Sequence, residues 1–285
     1  MTGIQSYIAR IDAVEAQRQR IYGTASGGDI WGGTAAQTFR ADPQRELDAN
    51  LTVIASYLQP QDVFVDVGGG AGRVSLPMSH RCREVVSVEP SPGMAEGFRS
   101  LASDNQITNA SVILSSWLDT GLDTKSVSGD VVFTADVTYF VRDIEEFIRG
   151  MEGRTKRRAM ITVWSQPPPN RSAEIFQLIY GERLEALPGY RELLAVLWEM
   201  GILPDVRVLP DSPWWESVPT SREQATDLAL RGRWLKAEDQ DRARRLVDGR
   251  FDELFETGSE GFQPKWRPEM REILITWETG QRLAI

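Results

Sequence analysis

Apolar residues recur at helical spacing near the start of the chain, where Ile4, Tyr7, Ile8, Ile11 and Val14 share one face of a helix predicted over 4–19. The next stretch, GTASGGDIWGG at 23–33, is too flexible for a strand and too aromatic for a plain linker. A second helix is predicted over 43–58, ending before Gln59-Pro60. The pattern then changes to short apolar runs alternating with amphipathic ones. Residues 62–67 (DVFVDV) form a β-branched run halted by three glycines, 73–80 a short helix, and 84–88 (EVVSV) a second strand. A helix opens near Ser91-Pro92, where proline suits a first helical turn. A third strand follows at 112–114, a fourth at 130–135 (DVVFTA), a helix at 143–151 with Ile144, Phe147 and Ile148 on one face, and a fifth strand at 158–163.

Past the prolines at 167–169 the alternation breaks into helices at 173–184, at 190–200 and over most of 221–258. A sixth strand is predicted at 205–209 and a closing strand (ILITWE) at 273–278. Nearly continuous apolar strands alternating with helices imply an α/β protein whose parallel sheet is covered on both faces. The expected organisation is a helical N-terminal arm and lid (1–58), an α/β core (59–165), a helical cap insertion that includes the sixth strand (166–270), and the closing strand of the core sheet (271–285).

The totals narrow the class of function. In 285 residues no apolar run approaches the roughly 20 needed to cross a bilayer. The opening MTGIQSYIARID lacks a basic start followed by a greasy stretch, so the expected location is the cytoplasm. A lone cysteine, Cys82, and a lone histidine, His80, cannot build a Cys/His zinc site, and no metal is expected. The net charge of −9 opposes a phosphate backbone, so no nucleic acid partner is expected. Arg154, Lys156, Arg157 and Arg158 read as a solvated loop, and the Arg-rich segment 231–250 as a mixed-charge exposed helix.

Chemistry concentrates in 65–94, VDVGGGAGRVSLPMSHRCREVVSVEPSPGM. Here a strand ends in Asp66-Val67 and is followed by Gly68, Gly69, Gly70, Ala71 and Gly72. Glycines in such a turn let a ligand approach the main chain, and the helix after them aims free N–H groups at it. Seventeen residues after Gly72 the second strand ends in Glu89, a carboxylate able to accept both hydroxyls of a ribose. A dinucleotide fingerprint wants a small third residue, but counting from Gly68 that position holds Arg73, and from Gly70 it holds Ser75.

The stretch VDVGGGAGR resembles the first motif of class I S-adenosylmethionine-dependent methyltransferases, and VVSVEPSPGM resembles their second. The resemblance runs over about 43–165 and more weakly to the final strand. It implies a Rossmann-like methyltransferase fold, a mostly parallel seven-stranded sheet with helices on both faces, and S-adenosylmethionine as the cofactor. By the same resemblance Asp66, Gly68, Gly69, Gly70 and Gly72 lie under the methionine part, Glu89 with Pro90 at the ribose, and Met94 against the adenine. The turn Ser115-Ser116-Trp117 would cap the adenine edge through Ser116 and Trp117, although the family often has Asp where Ser116 stands. The fourth-strand motif DVVFTADVTYF would bring Ala135 and Asp136 near the sulfonium and the acceptor.

Direct displacement of a methyl group needs little acid–base work when the acceptor is a neutral amine, a thiolate or a carboxylate, and positioning then supplies most of the acceleration. A hydroxyl or unactivated carbon wants a base, for which Asp136 and Tyr139 are the candidates. Trp31 among its glycines reads as a lid, with Phe39-Arg40 beside it and Arg40 free to pair with a carboxylate. Trp214-Trp215 could line an acceptor pocket. His80 is expected far from the ligand-binding ends of the strands. The expected function is methylation of a small molecule, with a nicotinamide-dependent oxidoreductase and a non-catalytic S-adenosylmethionine sensor as alternatives.

Overall fold

Every residue of the first strand, β1 (Val63–Val67), is buried, as a strand covered on both faces requires. The computed structural model describes residues 1–23, 28–29, 31–122, 127–210, 218–232, 235–266 and 270–280, leaving aside the side chains of 34 and 35. Among these, β1 joins β2 (Glu84–Glu89), β3 (Ala110–Leu114), β4 (Gly129–Ala135), β5 (Thr155–Trp164), β6 (Asp205–Val208) and β9 (Glu272–Glu278) in one sheet. The order is β3-β2-β1-β4-β5-β9-β6. The first five strands are parallel, and β9 runs antiparallel between β5 and β6. A two-stranded hairpin, β7 (Phe255–Thr257) with β8 (Phe262–Pro264), stands apart. The α/β fold with a mostly parallel seven-stranded sheet is therefore present.

Helices cover both faces. On one, α1 (Gly3–Tyr22), α6 (Ile144–Arg154) and α8 (Tyr190–Glu199) pack Tyr7, Phe147, Ile148 and Leu197 against Val65, Val132, Ile161 and Ile275. On the other, α3 (Ala49–Ala55) and α4 (Ser75–Met78) bring Leu51, Ile54 and Met78 onto Phe64, Phe133, Met160 and Leu274. Alternate residues of one strand thus serve opposite cores. The short α2 (Thr34–Thr38) packs on α5 (Pro92–Asp104), which covers β2 and β3. A satellite core joins α7 (Ala173–Tyr180), α9 (Arg222–Ala229), α10 (Gln240–Gly249) and α11 (Phe251–Leu254) around Ile175, Ala225, Val247 and Phe251. Among the described residues no helix is long and apolar enough to cross a membrane.

Several local expectations are corrected. The helix predicted over 43–58 is confined to Ala49–Ala55, because Asp42 accepts the Gln44 N–H at 2.9 Å in a turn and Asp48 caps the helix by accepting the Leu51 N–H at 2.8 Å. The helix at 73–80 is one turn, Ser75–Met78. That at 173–184 ends at Tyr180, where Gly181 takes a left-handed conformation. The helical reading of 221–258 fails from 255 onward, where the β7–β8 hairpin forms. Nor is 154–158 a solvated loop. Arg154 closes α6 and lies over the Trp117 ring at 4.6 Å, while Arg157 pairs with Asp62 and Arg158 with Glu278 from within β5. Trp214 and Trp215 lie outside the described residues.

Candidate functional site

The parallel strands all deliver their C-terminal ends to one edge of the sheet, where ligands bind in open α/β folds. At the end of β1 the chain enters the glycine turn. A side chain at Gly69 would place its first carbon 2.4 Å from Ser87 Oγ and 2.7 Å from Asp66 Oδ2, so the turn sits hard on the strands beneath. Gly70 is the opposite case: its φ is +57° and the nearest atom to an added carbon is Met94 Sδ at 3.7 Å. That leaves room over the main chain where a ligand can approach. Asp66 below the turn is buried, and burial, with a smaller push from Glu89, raises its carboxyl to about 7, while Arg73 works in the opposite direction.

Glu89, 5% exposed at the end of β2, accepts the Gly70 N–H on one oxygen and the Ser91 N–H on the other, each at 2.8 Å. A carboxylate has about four acceptor positions, so two remain for a ligand. Burial raises its pKa, and the two amide hydrogen bonds hold it down. Asp29 secures the N-terminal arm here. One of its oxygens accepts Ser91 Oγ at 2.9 Å and the Gly93 N–H at 2.8 Å, and the other accepts the Trp31 N–H at 3.1 Å. These bonds lower the Asp29 pKa, the Gly93 amide foremost. The Trp31 ring then meets Phe39 and Phe140 edge-on at centroid distances of 6.0 and 6.1 Å. Met94 is buried with Ala36 and Ala71, with Phe39 packed against them.

Beyond β4, Asp136 adopts φ +59°, which a residue with a side chain rarely takes. Its amide donates to the Thr162 carbonyl at 3.0 Å. Its carboxylate accepts the Tyr139 hydroxyl at 3.1 Å and Trp164 Nε1 at 3.2 Å. Burial raises the Asp136 carboxyl to about 7, the charge of Glu272 adds to that, and Arg73 opposes it. Tyr139 is fully buried, its oxygen also accepts the Trp164 N–H, and burial drives its pKa far above the ordinary phenol value. Tyr139 is therefore a hydrogen-bond donor that keeps its proton. Glu272 opens β9 directly across from Trp164 and accepts Asn50 Nδ2 at 2.8 Å. Burial raises its pKa too, against Arg73.

The sequence-derived candidates thus gather unevenly. Asp66, Gly68, Gly69, Gly70, Gly72, Glu89, Met94, Ala135, Asp136 and Tyr139 cluster at the strand ends, with Trp31 above them. Pro90 and Ser116 are exposed at the margin. Trp117 is turned into the core, donating Nε1 to the Phe147 carbonyl at 3.2 Å. Arg40 reaches Ser100 Oγ at 3.3 Å, nine residues along from Ser91 and so roughly 13 Å down the α5 axis from the Glu89 end. Asp29, Asn50, Phe140 and Glu272 were not legible as site residues. The glycines flanking Trp31, which read as a lid, were the one sequence signal near Asp29.

The glycine turn after the first strand and the acid closing the second are the features through which the sequence resembles class I S-adenosylmethionine-dependent methyltransferases. Residues 65–163 match the family model of the methyltransferase domain. Among solved structures it is similar to the YcgJ protein of Bacillus subtilis, with 13% identity, 81% of this chain and 97% of that one covered, and a TM-score of 0.52. A protein of Bacillus halodurans C-125 assigned as a methyltransferase is similar at 13% identity, with 81% and 97% covered and a TM-score of 0.54. Magnesium protoporphyrin IX methyltransferase of Synechocystis PCC 6803, solved with S-adenosylhomocysteine, gives 14% identity, 75% and 95% coverage and a TM-score of 0.47. At such identities the likeness is one of fold. No curated protein matches the chain.

Proposed function

We propose that this chain transfers a methyl group from S-adenosylmethionine to a small molecule by direct displacement. The observation that carries the reading is Glu89, whose two oxygens each hold one backbone amide beside the glycine turn, leaving two of a carboxylate's about four acceptor positions. The open main chain at Gly70 and the partly exposed Gly68 and Gly69 fit an extended nucleoside beside that carboxylate. Met94, with Ala36 and Ala71, offers an apolar wall for a base. When bound, S-adenosylmethionine supplies a methyl group already activated by a cationic sulfur.

The chain's own residues orient the partners and control a proton. Asp136, held by Tyr139 and Trp164, can accept a proton near neutral pH because its carboxyl lies at about 7. Tyr139 serves as the fixed donor that aims it, and Trp31 with Phe140 shields the mouth of the cleft. Calorimetric titration with S-adenosylmethionine, S-adenosylhomocysteine and NAD tests the cofactor. Micromolar binding of the two sulfur nucleotides is expected, and preference for NAD would overturn the reading.

A further inference from the structure

We propose that the cleft between Asp136 and Glu272 takes a cationic amine as the methyl acceptor, an assignment that rests on the methyltransferase function proposed above. Asp136 follows β4 and Glu272 begins β9, and Trp164 of β5 joins them: its indole N–H donates to Asp136 while its backbone pairs with Glu272. Both carboxylates therefore share the sheet edge that carries the glycine turn, and each is only partly shielded from solvent.

The charges around them leave the cleft negative. Among the described residues Arg73 is the cation acting on both carboxylates, and it also acts on Asp66. Asp48 adds a further negative charge against Glu272. The independent sign of a ligand is Asn50. It is 4% exposed, its amide nitrogen is spent on Glu272, and its carbonyl oxygen is buried with no hydrogen-bond partner among the described residues. Buried polar atoms without partners are rare and costly, and this one adjoins the acid pair.

Asn50 contacts Glu272 and the charge of Glu272 acts on Asp136, so three acceptors adjoin: two carboxylates and one amide carbonyl. A primary ammonium has three N–H donors and no acceptor, which matches that set. A hydroxyl brings only one donor, its O–H, to the three acceptors, and a carboxylate would add a third negative charge. Reaction requires the nitrogen lone pair. The ammonium gives one N–H proton to the Asp136 carboxylate, and the freed lone pair forms the new N–C bond. The C–S bond breaks with its electrons retained by sulfur, leaving a methylated ammonium and S-adenosylhomocysteine. Glu272 accepts N–H groups of the amine throughout, as an anchor.

The test is transfer of labelled methyl from S-adenosylmethionine to a size-matched panel of primary and secondary amines, alcohols and carboxylates, with the intact chain and with Glu272→Gln and Glu272→Asp. S-adenosylhomocysteine binding and thermal melting are followed in parallel. The proposal expects transfer to amines alone. In Glu272→Gln the amine KM should rise by at least about tenfold, with melting and S-adenosylhomocysteine affinity kept and with part of the amine affinity restored in Glu272→Asp. Preferential transfer to alcohols or carboxylates, amine transfer indifferent to Glu272→Gln, or no transfer to any amine while the nucleotide binds normally would each overturn it. Failure to bind either sulfur nucleotide would instead remove the methyltransferase reading beneath it.

Discussion

The carboxylate of Glu89 accepts the Gly70 N–H at 2.8 Å, tying the end of the second strand to the glycine turn after the first. One acid therefore shapes the turn and faces the cleft. Glu89→Gln keeps the size but replaces one acceptor oxygen with a donor, against an amide N–H. S-adenosylmethionine affinity should fall by one to two orders of magnitude, since a hydrogen bond to a charged group contributes about 1.5–3 kcal/mol. Calorimetry checks this, and affinity within a factor of three of the parent would sink the assignment.

Gly69→Ala tests the close seat of the same turn. The added carbon would meet Ser87 Oγ and Asp66 Oδ2, both held by buried strands. Stability should drop by about 1–3 kcal/mol, as overpacking in a close-packed interior does. Gly70→Ala meets little but Met94 Sδ and suffers mainly from its positive φ. Urea denaturation of the two variants should show loss in both and steric excess in the first.

Asp66 and Asp136 give stability a definite slope with pH. Both carboxyls lie at about 7 in the folded chain, well above the ordinary aspartate value near 4. Between about pH 4 and 7 the folded chain thus holds protons the unfolded chain has released, so stability falls as pH rises through this window and levels off above it. Asp66→Asn should flatten the slope and raise the melting temperature at pH 8 more than at pH 5. A slope unchanged from the parent would count against a neutral Asp66.

The same titration should govern rate. With Asp136 as proton acceptor, kcat/KM rises with pH to about 7 and is flat beyond, and Asp136→Asn removes that limb. Tyr139→Phe deletes the hydroxyl that donates to Asp136, and it should move the limb upward while lowering kcat more than it changes KM. Profiles measured on any competent acceptor decide this.

Asp29→Ala releases three donors at once: Ser91 Oγ and the amides of Gly93 and Trp31. Limited proteolysis should cut the arm near 23–33 sooner, and nucleotide affinity should weaken by roughly tenfold while global melting changes little. An arm equally resistant in the variant would show that Asp29 does not fasten it.

The alternation of apolar strands and helices made the core readable, and Glu89 was found because its spacing from the glycines is fixed by the strand–helix–strand unit between them. Other parts were hidden for physical reasons. Glu272 heads an apolar strand in sequence and looks like a solvated flank; only the insertion of β9 beside β5 carries it to the cleft. Asn50 vanished into a helix predicted to begin too early, since side-chain turns at Asp42 and Asp48 compete with helix formation. Phe251, Phe255 and Phe262 share a satellite core that mimics helical spacing, which concealed the hairpin. Trp117 sat at the right turn, but its indole found a better partner in the core carbonyl of Phe147.

The interior place of β9 bears on how the chain acquires its shape. This strand fills the gap between β5 and β6, yet it lies more than a hundred residues after β5 in sequence. Until it arrives, one edge of β5 is an unpaired ladder of donors and acceptors, a template for a foreign strand. Closing that gap requires contacts between distant segments, which are formed slowly. Partly assembled chains should therefore be prone to association through β5, and a chaperone that shelters this one edge would raise the yield of folded protein.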